Sequence, residues 1–464
     1  MKIQIIGWMC ATALLSSCHI YKSYERPEVQ TAGVYRDTVS VNDTLVSDTA
    51  NFGNLPWKEV FRDARLQALI EQGLAENISM QTALLRVEQA KAGLLAARLA
   101  FAPSLALTPN ASVNSFDGSK AIQTYSLPAS ASWEIDLFGN LMNGAKGAKA
   151  GLLETDAYRQ AVQTQVIANI ANSYYTLLML DKQLEITEKT ATTWGEQVRA
   201  MKALKNLGMT NEASVAQSEA YYYQVQASLP EIHRQIRETE NALSLLLGQT
   251  PQRIDRATLE EQEMPDTFSA GVPLQLLSNR PDVRQAEMAL ASAYYATNQA
   301  RSAFYPKITL SGSAGWTNSA GGMIVNPAKF LASAVGSLTQ PLFAKGQNIA
   351  RLKISKAQQE EARLAFEHSI LNAGTEVSNA LFKYKAAGEK RTQREMQIQS
   401  LRSAVDKTKQ LMQLSSTNYL EVLTAQQSLL SAELTGVKDS FDQIQSVVSL
   451  YQALGGGRGE SNFK

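Results

Sequence analysis

The chain has 464 residues, a formal net charge of +1 and a hydrophobic fraction of 44%. That charge balance lacks the basic excess of a nucleic-acid binder, so no nucleic-acid partner is expected. No run of about 18 apolar residues is present to span a membrane as a helix. Any bilayer crossing must therefore be made by strands.

Residues 1–17 read as a signal peptide: Lys2, an apolar run from Ile3 to Leu15, then Leu15-Ser-Ser-Cys18. The ending resembles a bacterial lipobox, whose cysteine is acylated and becomes the first mature residue. The plainer alternative is an ordinary signal peptide cut near Ser17. With Cys10 discarded and Cys18 lipidated, no thiol is left for a disulfide or for catalysis. Residues 18–56 are polar and read as an extended, lipidated leader.

The body follows as a first repeat over 57–265. Trp57–Phe61 is a short packed turn, and Asp63 can cap the helix that follows it. A second helix runs from about Ser79 to Ala100 and is ended by Pro103. A strand is expected at about 105–116, weakened by Pro109, then a turn at Asp117-Gly118. A second strand spans about 125–137, where Tyr125, Leu127, Ala129, Ala131, Trp133, Ile135 and Leu137 alternate with polar residues. After Gly139 the period changes to three and four, and a helix of about 140–207 begins. Gly144, Gly147 and Gly151 suit close helix approach. Leu207-Gly-Met-Thr-Asn211 is a tight reversal, with Gly208 just past a helix end and Thr210 or Asn211 capping the next. The return helix covers about 210–247, with Pro230 expected to kink it.

The plan then repeats over 266–455. Ala97-Arg-Leu-Ala-Phe-Ala-Pro103 is echoed by Ala300-Arg-Ser-Ala-Phe-Tyr-Pro306. Leu137-Phe138 is echoed by Leu342-Phe343, and Thr210-Asn211 by Thr417-Asn418, all between 203 and 207 positions apart. Collinear matches at nearly one offset mark an internal duplication. The second repeat reads as a helix at about 280–302, strands at about 306–317 and 330–343, a long helix at about 345–414 and a return helix at about 417–454. Residues 456–464, with the glycines from Gly455 to Gly459, read as a flexible tail.

Four membrane-type strands cannot close a barrel, because known membrane barrels need about eight or more. Open edges in lipid leave backbone groups unpaired at several kcal/mol each, so several chains must pool their strands. Two chains give a width that side chains largely fill; three give twelve strands and a lumen. The very long helices likewise need lateral partners.

These features resemble the TolC-like outer-membrane efflux factors, in particular the lipoprotein branch serving resistance–nodulation–division (RND) pumps. The motifs that carry the resemblance are Trp133-Glu-Ile-Asp-Leu-Phe-Gly139, Asn279-Arg-Pro-Asp-Val-Arg-Gln-Ala-Glu287, Ala303-Phe-Tyr-Pro-Lys-Ile308 and Tyr419-Leu-Glu-Val-Leu-Thr-Ala-Gln426. The resemblance implies a mainly α fold with membrane β: a homotrimer whose twelve-stranded barrel, four strands per chain, continues into a periplasmic helical tunnel. It implies an outer-membrane location, a periplasmic adaptor (membrane fusion) protein and an inner-membrane RND pump. It implies neither cofactor nor catalysis; the duct is passive. Its constriction maps to Leu420, Glu421 and Thr424, one and four apart and so on one helical face. Three copies of Glu421 in a narrow bore would favour cations, and Leu420 would resist wetting. The plainer alternative is a solvated Glu421 at a helix start and a core Leu420. Gly208, Met209, Thr210 and Asn211 and their partners Ser415, Ser416, Thr417 and Asn418 form hairpin tips expected to meet the adaptor.

The sequence departs from the family at this same place. Ser415 replaces the usual glycine of the second reversal, and Thr424 stands where many relatives carry aspartate. Met412 and Thr417 occupy positions where the best-known type carries a locking tyrosine and arginine. A mainly steric gate is therefore expected. Other readings are a type I protein-export channel and a periplasmic helical scaffold lipoprotein without membrane strands. An enzyme with a helical body is a further one, although His19, His233 and His368 lie far apart without metal-ligand spacing. The lipobox and the Arg280-Pro-Asp-Val-Arg284 motif favour pump partnership, with cargo from drugs to metal ions.

Overall fold

The structure is a computed structural model that describes residues 21–28, 52–115, 117–118, 120–263, 280–320, 323–414 and 419–457. Cys18 and the reversal residues Ser415–Asn418 lie outside the described residues. After a 3-10 turn at Phe52–Asn54 come helices α1 (Trp57–Val60), α2 (Ala64–Glu76) and α3 (Ile78–Leu99). Strands β1 (Ser104–Leu107), β2 (Asn110–Asn114) and β3 (Ile122–Ile135) follow, then helices α4 (Asn140–Asn206) and α5 (Glu212–Leu246). The second half gives α6 (Pro281–Ser302), β4 (Lys307–Ala320), β5 (Met323–Thr339), α7 (Gln347–Gln413) and α8 (Tyr419–Ala453). The duplicated helices match in length: α4 and α7 have 67 residues each, and α5 and α8 have 35 each. Among the described residues, no helix is long and apolar enough to cross a membrane.

The chain divides into two compact units, and each takes residues from both sequence halves. The first holds residues 1–29, 85–157 and 284–369, and so contains the strands. These form one antiparallel sheet in the order β1-β3-β4-β5, with β2 also paired to β3. The two halves meet in the β3–β4 pairing, where Trp133 faces Leu310 and Ile135 faces Ile308.

The expected first strand of 105–116 is in fact two strands. The break falls at Thr108-Pro109, opposite Pro128, whose carbonyl accepts from the Thr108 N–H at 3.1 Å. N–H and C=O of one strand residue point the same way in an antiparallel ladder. The donor that Pro128 lacks is thus missing on this side, and Pro109 lacks one too, so the ladder lapses between β1 and β2. On its other edge Pro128 pairs with Gly315, where a Cβ would lie 2.2 Å from the Leu127 carbonyl oxygen; only glycine permits that approach. Strand β3 ends at Ile135, before the expected 137, because the Asp136 carboxylate turns back to accept from the Met142 N–H at 2.6 Å. Strand β5 stops at Thr339, before Gln340-Pro341. The Trp133–Gly139 motif is therefore a joint. Trp133 Nε1 donates to the Phe101 carbonyl at 2.8 Å, Phe138 stacks on Tyr305, and Gly139 takes a φ of 71° to start α4. Of the three glycines near the start of α4, Gly144 and Gly147 face Gln299 and Tyr295 of α6, whereas Gly151 faces open space.

Residues 21–28 of the leader lie against α6. Arg26 forms an ion pair with Glu287, its Nε donating to Oε1 at 2.8 Å, and the Tyr294 hydroxyl donates to the Lys22 carbonyl at 2.8 Å. Burial pushes the Tyr24 phenol up to about 12, with the Glu287 charge adding to it.

The second unit holds residues 30–84, 158–283 and 370–464. Its core gathers Phe61, Leu66 and Ile70 with Ile167, Ile170, Tyr174 and Leu178 of α4 and Val447, Leu450 and Tyr451 of α8. The α4 positions recur three and four apart. Each such buried side chain contributes roughly 1.5–3 kcal/mol. Phe52 belongs to this core, so the packed body starts before Trp57. Asp63 caps α2 as expected, accepting from the Arg65 N–H at 2.8 Å. Pro230 lies inside α5 without ending it.

The glycine run after α8 is packed where the first residues of the flexible tail, 456–464, are expected. Gly455, Gly456 and Gly457 are buried. The Gly456 carbonyl accepts from Thr164 Oγ1 at 2.8 Å, the Gly457 carbonyl from Gln163 Nε2 at 2.9 Å, and the Gly457 N–H donates to the Tyr451 hydroxyl at 2.8 Å. Glycine is required because a Cβ on Gly456 would lie 2.4 Å from the Tyr451 ring. Residues 458–464 lie outside the described residues.

Candidate functional site

Two features of the chain bear on function: the faces of the sheet and the start of α8. Register sorts the sheet residues. One face carries the rows Leu127–Trp316–Phe330, Ala129–Ala314–Ala332, Trp133–Leu310–Gly336 and Ile135–Ile308–Leu338. The other carries Ser130–Ser313–Ser333, Ser132–Ser311–Val335 and Glu134–Thr309–Ser337. The hydroxyls of Ser313 and Ser333 bond at 2.8 Å. Most large side chains of the first face are exposed, among them Phe330 at 61%, Leu338 at 68% and Leu105, opposite Ala131, at 81%. This inverts a soluble sheet, which buries its apolar face. The outer edges of β1, β2 and β5 have no strand beside them among the described residues.

Helix α8 begins at Tyr419. Val422 and Leu423 are fully buried, while Leu420, at 47% exposure, and Glu421 and Thr424 are exposed. The three predicted constriction residues thus share the outward side of this first turn, and Leu420 is not a core residue of the chain. Thr424 Oγ1 donates to the Leu420 carbonyl at 2.9 Å, a local bond within the helix.

The first reversal forms as its sequence dictates. Gly208 takes a φ of 75°, the Met209 N–H reaches back to the Leu204 carbonyl at 2.9 Å, and Asn211 caps α5 by accepting from the Ser214 N–H at 2.9 Å. These bonds satisfy the helix ends and leave Leu207 and Met209 each 72% exposed. Thr210, offered as an alternative cap, does not serve as one.

Three features were missed in the sequence. Arg280 is 7% exposed; it donates to the Ala453 carbonyl at 2.7 Å, to Glu376 at 2.6 Å and to Asp282 at 2.7 Å. It therefore closes the end of α8, and an arginine before Pro-Asp at a helix start was the available signal. Asp439 is 1% exposed and pairs with Lys390 and Arg394, tying α8 to α7. Burial pushes the Asp439 carboxyl up, but the hydrogen bonds from Lys390 and Arg394 outweigh that and hold it below the usual carboxylate range. The third is Tyr419, whose hydroxyl lies 3.1 Å from Ser218 Oγ of α5.

The outer membrane efflux protein family matches residues 69–249 and 272–456. The cation efflux system protein CusC of Escherichia coli K12 is 27% identical over 458 residues, covering 97% of this chain and 98% of its own. The toluene efflux pump outer membrane protein TtgI of Pseudomonas putida is 28% identical over 468 residues, covering 97% of each. The open state of the Neisseria gonorrhoeae MtrE outer membrane channel superposes with a TM-score of 0.84 at 27% identity, covering 95% of this chain and 98% of that one. With the family matched across both repeats and full-length relatives of the same kind, the chain belongs to the outer membrane efflux proteins.

Proposed function

We propose that three copies of this chain pool their strands into a twelve-stranded barrel. The trimer then serves as the passive outer-membrane exit duct of a tripartite pump, with its helices forming a periplasmic tunnel. The observation that carries this is the sheet itself: an exposed apolar face, a face rich in hydroxyls and two edges that no strand pairs among the described residues. In lipid such edges must be paired, and twelve strands leave a lumen that eight would fill. The cargo is small molecules, delivered by an inner-membrane RND pump through a periplasmic adaptor. No step of this function makes or breaks a bond. The exposed tip at Gly208, Met209, Thr210 and Asn211, together with Ser415–Asn418, is read as the adaptor-facing surface. Cys18 is read as the lipid attachment site.

The constriction is assigned to Leu420, Glu421 and Thr424. Their shared exposure, beside the buried Val422 and Leu423, supports this reading. Replacing Leu420 and Thr424 together with Ala is expected to admit large antibiotics that the outer membrane excludes, and unchanged exclusion would reject the assignment. The assembly is tested by extraction. The purified protein should require detergent and run as a trimer; a soluble monomer without surfactant would overturn the duct.

A further inference from the structure

The face of α8 opposite the constriction residues is what fixes their position. Tyr419 and Gln426 lie two turns apart and so on one side of the helix. Tyr419 touches both arms of the first hairpin: its hydroxyl meets Ser218 of α5 at 3.1 Å and pairs with Gln197 of α4. Ser218 is 2% exposed, so its hydroxyl bonds without competition from bulk water. It also donates to the Ser214 carbonyl at 2.7 Å. Its single proton has two acceptors within reach, the Ser214 carbonyl and the Tyr419 oxygen. Val422 and Leu423 supply apolar contact on the same side. Gln426 is 7% exposed, yet its amide oxygen has no partner among the described residues. A buried contact that combines a specific bond with an unsatisfied acceptor holds one arrangement without making it deeply stable.

We infer that Tyr419 is a positioning residue of the gate: its hydroxyl fastens the start of α8 to the first hairpin and so keeps Leu420, Glu421 and Thr424 in the constricting place. This inference rests on the constriction assigned above. It assigns the restraint to a residue other than positions 412 and 417, where this chain carries Met412 and Thr417. Moving the three constriction residues off the axis moves the helix start that carries them, and the Tyr419 bonds must then break.

The test uses the full-length trimer in detergent, in planar bilayers and in cells. Tyr419→Phe keeps the ring and removes only the hydroxyl; Ser218→Ala removes its partner. Losing one such bond shifts a two-state equilibrium about fivefold, so concerted opening of three subunits should shift on the order of a hundredfold. Both single variants are expected to raise open probability and vancomycin sensitivity while the melting temperature of the trimer stays within a few degrees. The double variant should be no leakier than Tyr419→Phe alone, because Tyr419→Phe already removes the bond that Ser218→Ala removes. A purely structural role would lower the melting temperature without opening the channel, and that result overturns the inference. If Leu420→Ala with Thr424→Ala leaks while Tyr419→Phe and Ser218→Ala stay closed, the gate stands and the fastening is refuted. If Tyr419→Phe leaks and the Leu420/Thr424 variant does not, the fastening stands and the constriction lies elsewhere on α8. If none of the variants leaks, both readings fall.

Discussion

Adjacent residues of β4 should respond oppositely to the same substitution. Ala314 lies at the middle of the 14-residue strand Lys307–Ala320, on the face it shares with Ala129 and Ala332. Ser313 lies one step away on the other face, bonded to Ser333. At about 3.3 Å per residue and a tilt near 40°, the strand spans the apolar layer with Ala314 close to its midplane. An arginine there costs about 2–4 kcal/mol. In a trimer the three copies together cost about 6–12 kcal/mol, comparable to the whole stability of an ordinary domain. Ala314→Arg is therefore expected to abolish heat-resistant trimer in outer-membrane fractions. Ser313→Arg meets the lumen, where water solvates it. Its trimer should form normally, while the bilayer reversal potential shifts toward anion preference through the added ring of three charges. Normal insertion of Ala314→Arg, or loss of trimer only with Ser313→Arg, would refute the assignment of the faces.

Other outcomes follow from the helical unit and the amino terminus. Gly456→Ala forces a Cβ to within 2.4 Å of the Tyr451 ring; such overpacking costs about 1–3 kcal/mol, and scanning calorimetry in detergent should show a melting temperature several degrees lower. Burial pushes the Asp63 carboxyl up, but bonds from the Tyr174 hydroxyl, the Gln262 amide and the Arg65 N–H outweigh it and leave it below its ordinary value of 3.8. Between the lowered value and 3.8 the unfolded chain binds the proton and the folded chain does not. Stability from Asp63 is thus complete above about pH 4 and is lost as pH falls through the folded value. Melting temperature should drop below about pH 4, and Asp63→Asn should flatten that dependence. Cys18→Ser should abolish lipid labelling while leaving trimer formation intact.

Periodicity made the long elements legible. The 67-residue helices and their 35-residue returns lie within a few positions of the expected spans because the helical spacing of apolar residues runs on through them, past Pro230 in α5 included. Less legible was anything decided by a partner strand. Thr108-Pro109 breaks the first strand because Pro128, nineteen or more positions on, faces it in the ladder, and register is not visible in either segment alone. Gly455–Gly457 read as loose by composition, yet their lack of side chains is what admits Tyr451 and Ile167. At α8, spacing placed Leu420, Glu421 and Thr424 on one face. The bond from Tyr419 to Ser218 joins residues 201 positions apart and left no local signal.

Insertion and assembly are bound together by the same sheet. A lone chain placed in lipid would expose the outer edges of its sheet, and each unpaired backbone group there costs several kcal/mol. The apolar face alone cannot offset a row of such groups, so the inserted monomer is not a stable species. The chain must meet its copies before or during insertion, and the helices are the parts able to meet in water, since they satisfy their own backbones. Weakening contacts between helices should then lower the amount of barrel in the membrane even though no strand is altered. By the same reasoning, a cross-link between neighbouring helices should rescue a variant whose strands pair weakly. Failure of that rescue would mean that the strands pair first and the helices follow.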